Sequence, residues 1–166
     1  MEFVEDDFDI DGFLEDSTVP VHQIEDNLFL GNIESAKNQE LLKAHNIQSI
    51  VQCLGSPSLV PQFPEIEYHI IPIDDTESAD IGSFVPMAVE FIHNSIKQNK
   101  NVLVHCAAGV SRSASITISY IMAKYQLPFQ EAFQFVRSKR RCICPNKGFR
   151  MQLCSFDLKD LASYIN

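Results

Sequence analysis

The chain has 166 residues, 45% of them hydrophobic and 21% charged, with a net charge of −9 at neutral pH. That composition fits one globular domain with a sizeable core and excludes collagen-like, coiled-coil and wholly disordered chains. No apolar run approaches the roughly 20 residues of a membrane-spanning helix, and the acidic opening Met1-Glu2-Phe3 is unlike a basic signal-peptide start; the expectation is a cytoplasmic or nuclear protein with no membrane partner.

The acidity is local. Residues 1–20 carry eight acids and no lysine or arginine, whereas the rest sets 13 bases against 14 acids. This predicts an acidic, flexible tail over residues 1–20 and a compact domain over residues 21–166. It also predicts no nucleic-acid partner, because the domain has no net basic surface for a phosphate backbone. Arg137, Lys139, Arg140, Arg141, Lys147 and Arg150 follow one another with no acid between them. Such a strip is either an ordinary solvated face or an attractor for an acidic phosphopeptide or for the chain's own tail. The cysteines, Cys53, Cys106, Cys142, Cys144 and Cys154, are odd in number without secretory context, so free thiols are expected. No histidine lies near the last three and their spacing fits no zinc site, so no metal is expected there.

In chain order, Leu28-Phe29-Leu30 reads as a short strand stopped by Gly31, followed by a helix from Glu34 to His45 and an apolar strand from Ile47 to Leu54. Gly55-Ser56-Pro57 marks a turn, and Tyr68–Ile71 reads as a strand. A polar loop from Asp74 to Asp80 leads to a helix carrying Ile81, Phe84, Val85, Ala88, Phe91 and Ile92, with Pro86 tolerated in its first turn. Asn101–His105 is a strand and Ser113–Tyr125 a largely apolar helix. Helix Phe129–Arg137 follows, then a last helix capped by Asn146 with Phe149, Leu153, Phe156 and Leu161 inward. Strands alternating with helices predict an α/β fold, a central mixed β-sheet of about four to five strands flanked by helices.

The strongest chemical signal is His105-Cys106-Ala107-Ala108-Gly109-Val110-Ser111-Arg112-Ser113, set where a strand ends and a helix begins. The cysteine-to-arginine spacing alone is weak, because Cys144 and Arg150 repeat it; there Pro145 removes an amide and no strand precedes. In the first match, small residues from Ala107 to Gly109 let backbone amides converge on an anion, and the helix start adds its positive end. Arg112 can fork two donors onto phosphate oxygens. The same dipoles favour a thiolate at Cys106, making it a nucleophile. His105 cannot be its general base, since neighbours on a strand point to opposite faces, and an ordering role behind the loop is expected of it. Taken singly, Cys106 and His105 would be ordinary buried residues; taken with the strand, nest and arginine, they are not.

HCAAGVSRS resembles the signature loop of cysteine-based protein tyrosine phosphatases, and Ser111 and Ser113 resemble its dual-specificity branch. The resemblance extends from about Ile24 to Leu161 through NLFLGN, IPIDD, TESADI, SRSAS and CPNKGFRMQL, most of the chain. It implies a protein-tyrosine-phosphatase-like fold, Cys106 as nucleophile, Arg112 as oxyanion clamp, and Ser113 as the hydroxyl that stabilises the departing thiolate. Ala107, Ala108, Gly109, Val110, Ser111 and Arg112 would bind phosphate, and Asn146 looks like the family's loop-positioning asparagine, although a helix cap needs the same residue type. Ester cleavage needs a proton donor; the pattern Ile-Pro-x-x-Asp puts it at Asp75, with Asp74 the runner-up and Asp80 a helix or loop cap. Cys53 matches a position where some relatives keep a redox partner for the nucleophile, against the plainer reading of a core thiol.

No cofactor is implied, since amides and Arg112 already offset the phosphoryl charge. The implied partners are phosphorylated protein substrates carrying phosphotyrosine and phosphoserine or phosphothreonine, because no pocket-deepening insertion is evident. No lysine stands at Ala107, Ala108 or Val110 to favour inositol phosphates, and no rhodanese-like kinase-docking domain precedes the catalytic one. The alternative function is a noncatalytic phosphoprotein-binding module that uses the same nest.

Overall fold

The computed structural model describes residues 8–166. Its sheet is mixed and has five strands, β1 (Val21–Glu25), β2 (Leu28–Gly31), β3 (Ile47–Cys53), β4 (Glu67–Ile71) and β5 (Asn101–His105), in the order β1-β2-β5-β3-β4. Only β1 runs antiparallel, against β2. The pleat sorts the side chains. Leu28, Leu30, Val51, Cys53, Val102 and Val104 face the larger core, and Phe29, Ile50 and Leu103 face a smaller one with Ala36 and Leu42. The smaller core is covered by α2 (Ile33–Lys37) and α3 (Gln39–Ala44), the larger by α4 (Val85–Lys97), α5 (Arg112–Tyr125), α6 (Phe129–Lys139), α7 (Lys147–Cys154) and α8 (Leu158–Ser163).

Helix α5 is the axis of the larger core: every residue from Ser113 to Ala123 is buried. Its polar side chains survive there by bonding back onto the helix. Ser115, Thr117 and Ser119 donate to the carbonyls of Ser111, Ser113 and Ile116 at 2.7–2.9 Å. In the parallel registers Gly31 and Gln52 both stand opposite His105, so the C-terminal ends of β2, β5 and β3 lie side by side. The loop that leaves β5 leads into α5, and the one that leaves β2 bonds it through Ile33 N and the Ala107 carbonyl.

Several elements differ from the sequence-based expectations. The helix expected over Glu34–His45 is two helices, because Asn38 takes an extended conformation and its side chain accepts from Leu41 N to start α3. The last helix likewise divides at Asp157, which accepts from the amides of Lys159 and Asp160 and leaves Phe156 in the connection. The helix expected from Ile81 starts at Val85, preceded by a turn in which Asp80 accepts from Ser83 N at 3.1 Å. Strand β1 was not anticipated.

The flexible tail is corrected over residues 10–17, which form helix α1 (Ile10–Ser17), capped by Asp9 accepting from Gly12 N at 2.9 Å. The basic strip holds it: Arg141 donates to Glu15 and Asp16 at 2.8 and 2.9 Å. Of the strip's two readings, Arg141 follows the one that attracts the chain's own tail, and Arg140 follows neither, being 0% exposed. The part of the tail before residue 8 lies outside the described residues.

Candidate active site

The loop from Cys106 to Ser111 runs from the end of β5 to the start of α5. A loop of small residues has no preferred shape of its own, so its form follows from what holds its carbonyls. Each is tied outward. The Cys106 oxygen lies 3.2 Å from His105 Nδ1; that of Ala107 accepts from Ile33 N at 3.0 Å; and those of Ala108 and Gly109 accept from Arg140 Nη2 and Nε at 3.3 and 3.0 Å. The Val110 carbonyl accepts from Cys144 N at 2.8 Å. With the carbonyls turned out, the peptide planes present N–H groups inward, the arrangement that receives an oxyanion.

Gly109 has φ +67°, and a Cβ there would meet the carbonyl oxygen of Gly31 at 2.7 Å and Arg140 Nη2 at 2.8 Å. Both the left-handed backbone and the close approach require glycine. Its amide points to Cys106 Sγ at 3.2 Å, and Ser113 Oγ donates to the same sulfur at 3.0 Å. Cys106 is 2% exposed, at the floor of the loop.

Ser111 occupies the N-cap position of α5 but makes no side-chain cap. Its hydroxyl instead donates to Asp75 Oδ1 at 2.8 Å and accepts from Asn146 N at 3.0 Å. The first amides of α5 are thus left without the usual side-chain acceptor, on the side where an anion would sit. Arg112 donates from Nη1 to the Ile73 carbonyl at 3.1 Å, while its Nε is buried and has no partner among the described residues. A buried guanidinium N–H without an acceptor is costly unless a ligand supplies one.

Asp75 reaches this rim from the loop after β4. Its Oδ1 accepts from both Ser111 Oγ and Asn146 Nδ2, each at 2.8 Å. Asp74 points elsewhere, its carboxylate packed where a side chain on Gly55 would stand. Asn146 acts at both ends: its Oδ1 accepts from Phe149 N at 2.9 Å to cap α7, while its Nδ2 holds Asp75. One side chain therefore both caps α7 and bonds the Asp75 carboxylate.

Behind the loop, His105 is fully buried with Nε2 3.3 Å from Gln52 Oε1. Burial pushes the pKa of its imidazolium down to about 4, so the ring is neutral at neutral pH. Cys53 ends β3, one position beyond the Gln52–His105 pair and hence beside Cys106. Burial, and next the neighbouring Cys106, push its thiol well up, so it is held as a thiol.

The structure brings together Cys106, the loop from Ala107 to Arg112, Ser113, Asp75 and Asn146, with His105 and Cys53 beneath. In the second match, Arg150 instead bonds its own segment, donating to Cys144 Sγ at 3.4 Å and to the Pro145 carbonyl at 2.8 Å. Sequence reasoning missed Arg140, whose only signal was membership of a basic strip, and Gln152 and Gly148, which support the loop that follows Asp75. Gln152 accepts from Gly82 N and donates to the Ala79 carbonyl, both at 2.9 Å, and Gly148 packs on the Glu77 carbonyl. Among the described residues no helix is long and apolar enough to cross a membrane.

Residues 28–159 match the family model of the dual specificity phosphatase catalytic domain. The chain is 38% identical over 136 residues to human dual specificity protein phosphatase 9, covering 81% of this chain and 35% of that one, so it spans about a third of that relative. Among solved structures, that of DUSP15 superposes with a TM-score of 0.83 at 30% identity, covering 88% of this chain and 92% of that one. The human tyrosine phosphatase-like serine/threonine/tyrosine-interacting protein superposes with a TM-score of 0.76 at 34% identity, covering 89% and 99%. By sequence and by fold, the chain belongs to the dual specificity phosphatase family of protein phosphatases, within the protein tyrosine phosphatase superfamily.

Proposed function

We propose that the chain is an active phosphoprotein phosphatase that hydrolyses phosphotyrosine and phosphoserine or phosphothreonine through a phosphocysteine on Cys106. The observation that carries this reading is the sulfur itself: Cys106 Sγ sits at the floor of inward-facing amides, receives Gly109 N–H and Ser113 O–H, and has the partnerless Arg112 Nε beside its loop. Cys106 attacks phosphorus in line, forming the S–P bond as the ester P–O bond breaks. The proton on Asp75 passes to the leaving oxygen. The loop amides of Ala107 to Ser111 and the Arg112 guanidinium hold the three equatorial oxygens. Water, deprotonated by Asp75, then attacks phosphorus; the S–P bond breaks and the sulfur leaves as a thiolate stabilised by the Ser113 hydroxyl. These groups supply the charge compensation, so the reaction is expected to run in chelator without metal or organic cofactor.

One neighbour's name, phosphatase-like interacting protein, keeps a second reading in play, a module that holds phosphoprotein without cleaving it. The presence of Cys106, Asp75 and Ser113 around one loop favours the enzyme. Phosphate release from a phosphotyrosine peptide and from p-nitrophenyl phosphate separates the two. The enzyme releases phosphate from both and loses this with Cys106→Ser; tight phosphopeptide binding with no release in the wild-type chain would establish the module instead.

A further inference from the structure

Arg140 is the largest fully buried side chain among the described residues. A guanidinium cannot shed its charge, so such burial persists only where its donors are satisfied. Four are: to Gly109 O at 3.0 Å, Ala108 O at 3.3 Å, Val19 O at 2.9 Å and His22 Nδ1 at 2.7 Å. Two of these acceptors are the loop carbonyls whose outward turn exposes the amides. The other two belong to the segment that follows α1.

Arginine only donates, so His22 Nδ1 is the acceptor and the ring's proton is on Nε2. That nitrogen lies 3.8 Å from Asp16 Oδ1. Asp16 is held in turn by the Arg141 amide and side chain. Burial opposes its charge, but Arg141 outweighs it and keeps the carboxyl below its usual range. A continuous line of polar contacts therefore runs from α1 through Asp16, His22 and Arg140 to the phosphate loop.

Helix α1 buries little apolar surface, with Phe13 half-buried. Phe8, Ile10 and Leu14 are 58–59% exposed, and the helix's buried residues are Gly12 and Asp16. Its one buried side chain is the carboxylate that faces His22.

We propose that Arg140 and Asp16 are positioning residues for phosphate binding: Arg140 sets the loop carbonyls, and α1, through Asp16 and His22, sets Arg140. This rests on the phosphate-loop reading above. Neither residue touches substrate; both act through the orientation of the Ala108 and Gly109 peptides. Asp16 is thus linked to a site that its own helix does not line.

The test uses the full-length chain, measuring p-nitrophenyl phosphate kinetics, the dissociation constant of orthovanadate and the melting temperature. The expectation for Arg140→Lys, which keeps charge but not the fork, is a loss of about 30-fold or more in kcat/KM and vanadate affinity. Asp16→Asn and Arg141→Ala should each weaken both about fivefold at temperatures where the fold is intact. The double variant Asp16→Asn/Arg140→Lys should be no worse than Arg140→Lys to within about twofold, because Asp16 acts only through Arg140. If Arg140→Lys does not fold, the Asp16→Asn and Arg141→Ala vanadate affinities decide alone. A purely structural helix would lower the melting temperature and leave vanadate affinity and kcat unchanged in those two variants; that result, or fully multiplicative losses in the double variant, overturns the inference. A wild-type chain that bound no vanadate would overturn the phosphate-loop reading first, before any variant was compared.

Discussion

Asn146 donates from its side-chain Nδ2 to the carboxylate of Asp75 at 2.8 Å while its side-chain Oδ1 accepts from Phe149 N to cap α7. One residue therefore ties the start of a helix to the proposed acid. Asn146→Ala should cost both functions: about 1 kcal/mol of stability from the lost cap and about tenfold in kcat on phenyl phosphate. The loss on p-nitrophenyl phosphate, whose leaving group needs little protonation, should be several-fold smaller. Asp75→Asn should give the same split more steeply. Equal losses on the two esters would take Asp75 out of the acid role, and thermal unfolding of Asn146→Ala measures the cap separately.

Asp75 could be singled out in the sequence only through the family pattern, because Asp74 and Asp80 are the same residue type in the same polar loop. What separates them is tertiary: Asp74 lies on Gly55, Asp80 binds Ser83 N, and Asp75 alone meets Ser111 and Asn146. Strands β2 to β5 and α5 were legible because apolar alternation and a buried helix leave strong periodic patterns, whereas β1 was not. Helix α1 was not, since eight acids with no bases look like a solvated tail until Arg141 and His22 arrive from more than a hundred residues and from one strand away. Arg140 was hidden for the opposite reason. A basic strip suggests a surface, and nothing local says that one of its members is buried under a loop 31 residues earlier.

Gly148 gives a test of the acid loop that touches no catalytic group. A methyl on its Cα would overlap the Glu77 carbonyl, a backbone atom that can yield only by moving the loop two residues beyond Asp75. Gly148→Ala should favour α7 by propensity, by about 1 kcal/mol, yet lower kcat on phenyl phosphate about tenfold or more by displacing the acid. Vanadate affinity should stay near the wild-type value, because the nest itself is not moved. Loss of both would mean that the overlap is relieved by a shift of α7 and the segment that holds Val110 rather than by the acid loop.

Stability should fall on acidification through His105. The folded group is pushed down from 6.5 to about 4 by burial, so between these values the unfolded chain binds a proton that the folded chain does not, and unfolding becomes easier as pH falls. The contribution between pH 7 and pH 5 is about 2 kcal/mol, and it levels off below about pH 4. Urea unfolding at the two pH values measures it. His105→Gln, which cannot titrate, should lose that part of the slope, and an unchanged slope would assign the acid sensitivity to other groups.

Cys53 ends β3, and Cys106 follows the last residue of the neighbouring parallel strand β5, with burial holding the Cys53 sulfur as a thiol. The expected order of oxidation follows from that difference. Peroxide takes Cys106 to the sulfenic acid; the Cys53 thiol then attacks that sulfur, forming a disulfide and expelling water. Peptide mapping of the peroxide-inactivated chain should show a Cys53–Cys106 link, and thiol reductant should restore activity. Cys53→Ser should inactivate at a similar initial rate but recover far less, because without the second thiol the sulfenic acid proceeds to irreversible acids. Equal recovery of the two chains, with no linked peptide, would leave Cys53 as a packing residue of the larger core and place protection of Cys106 in the loop alone.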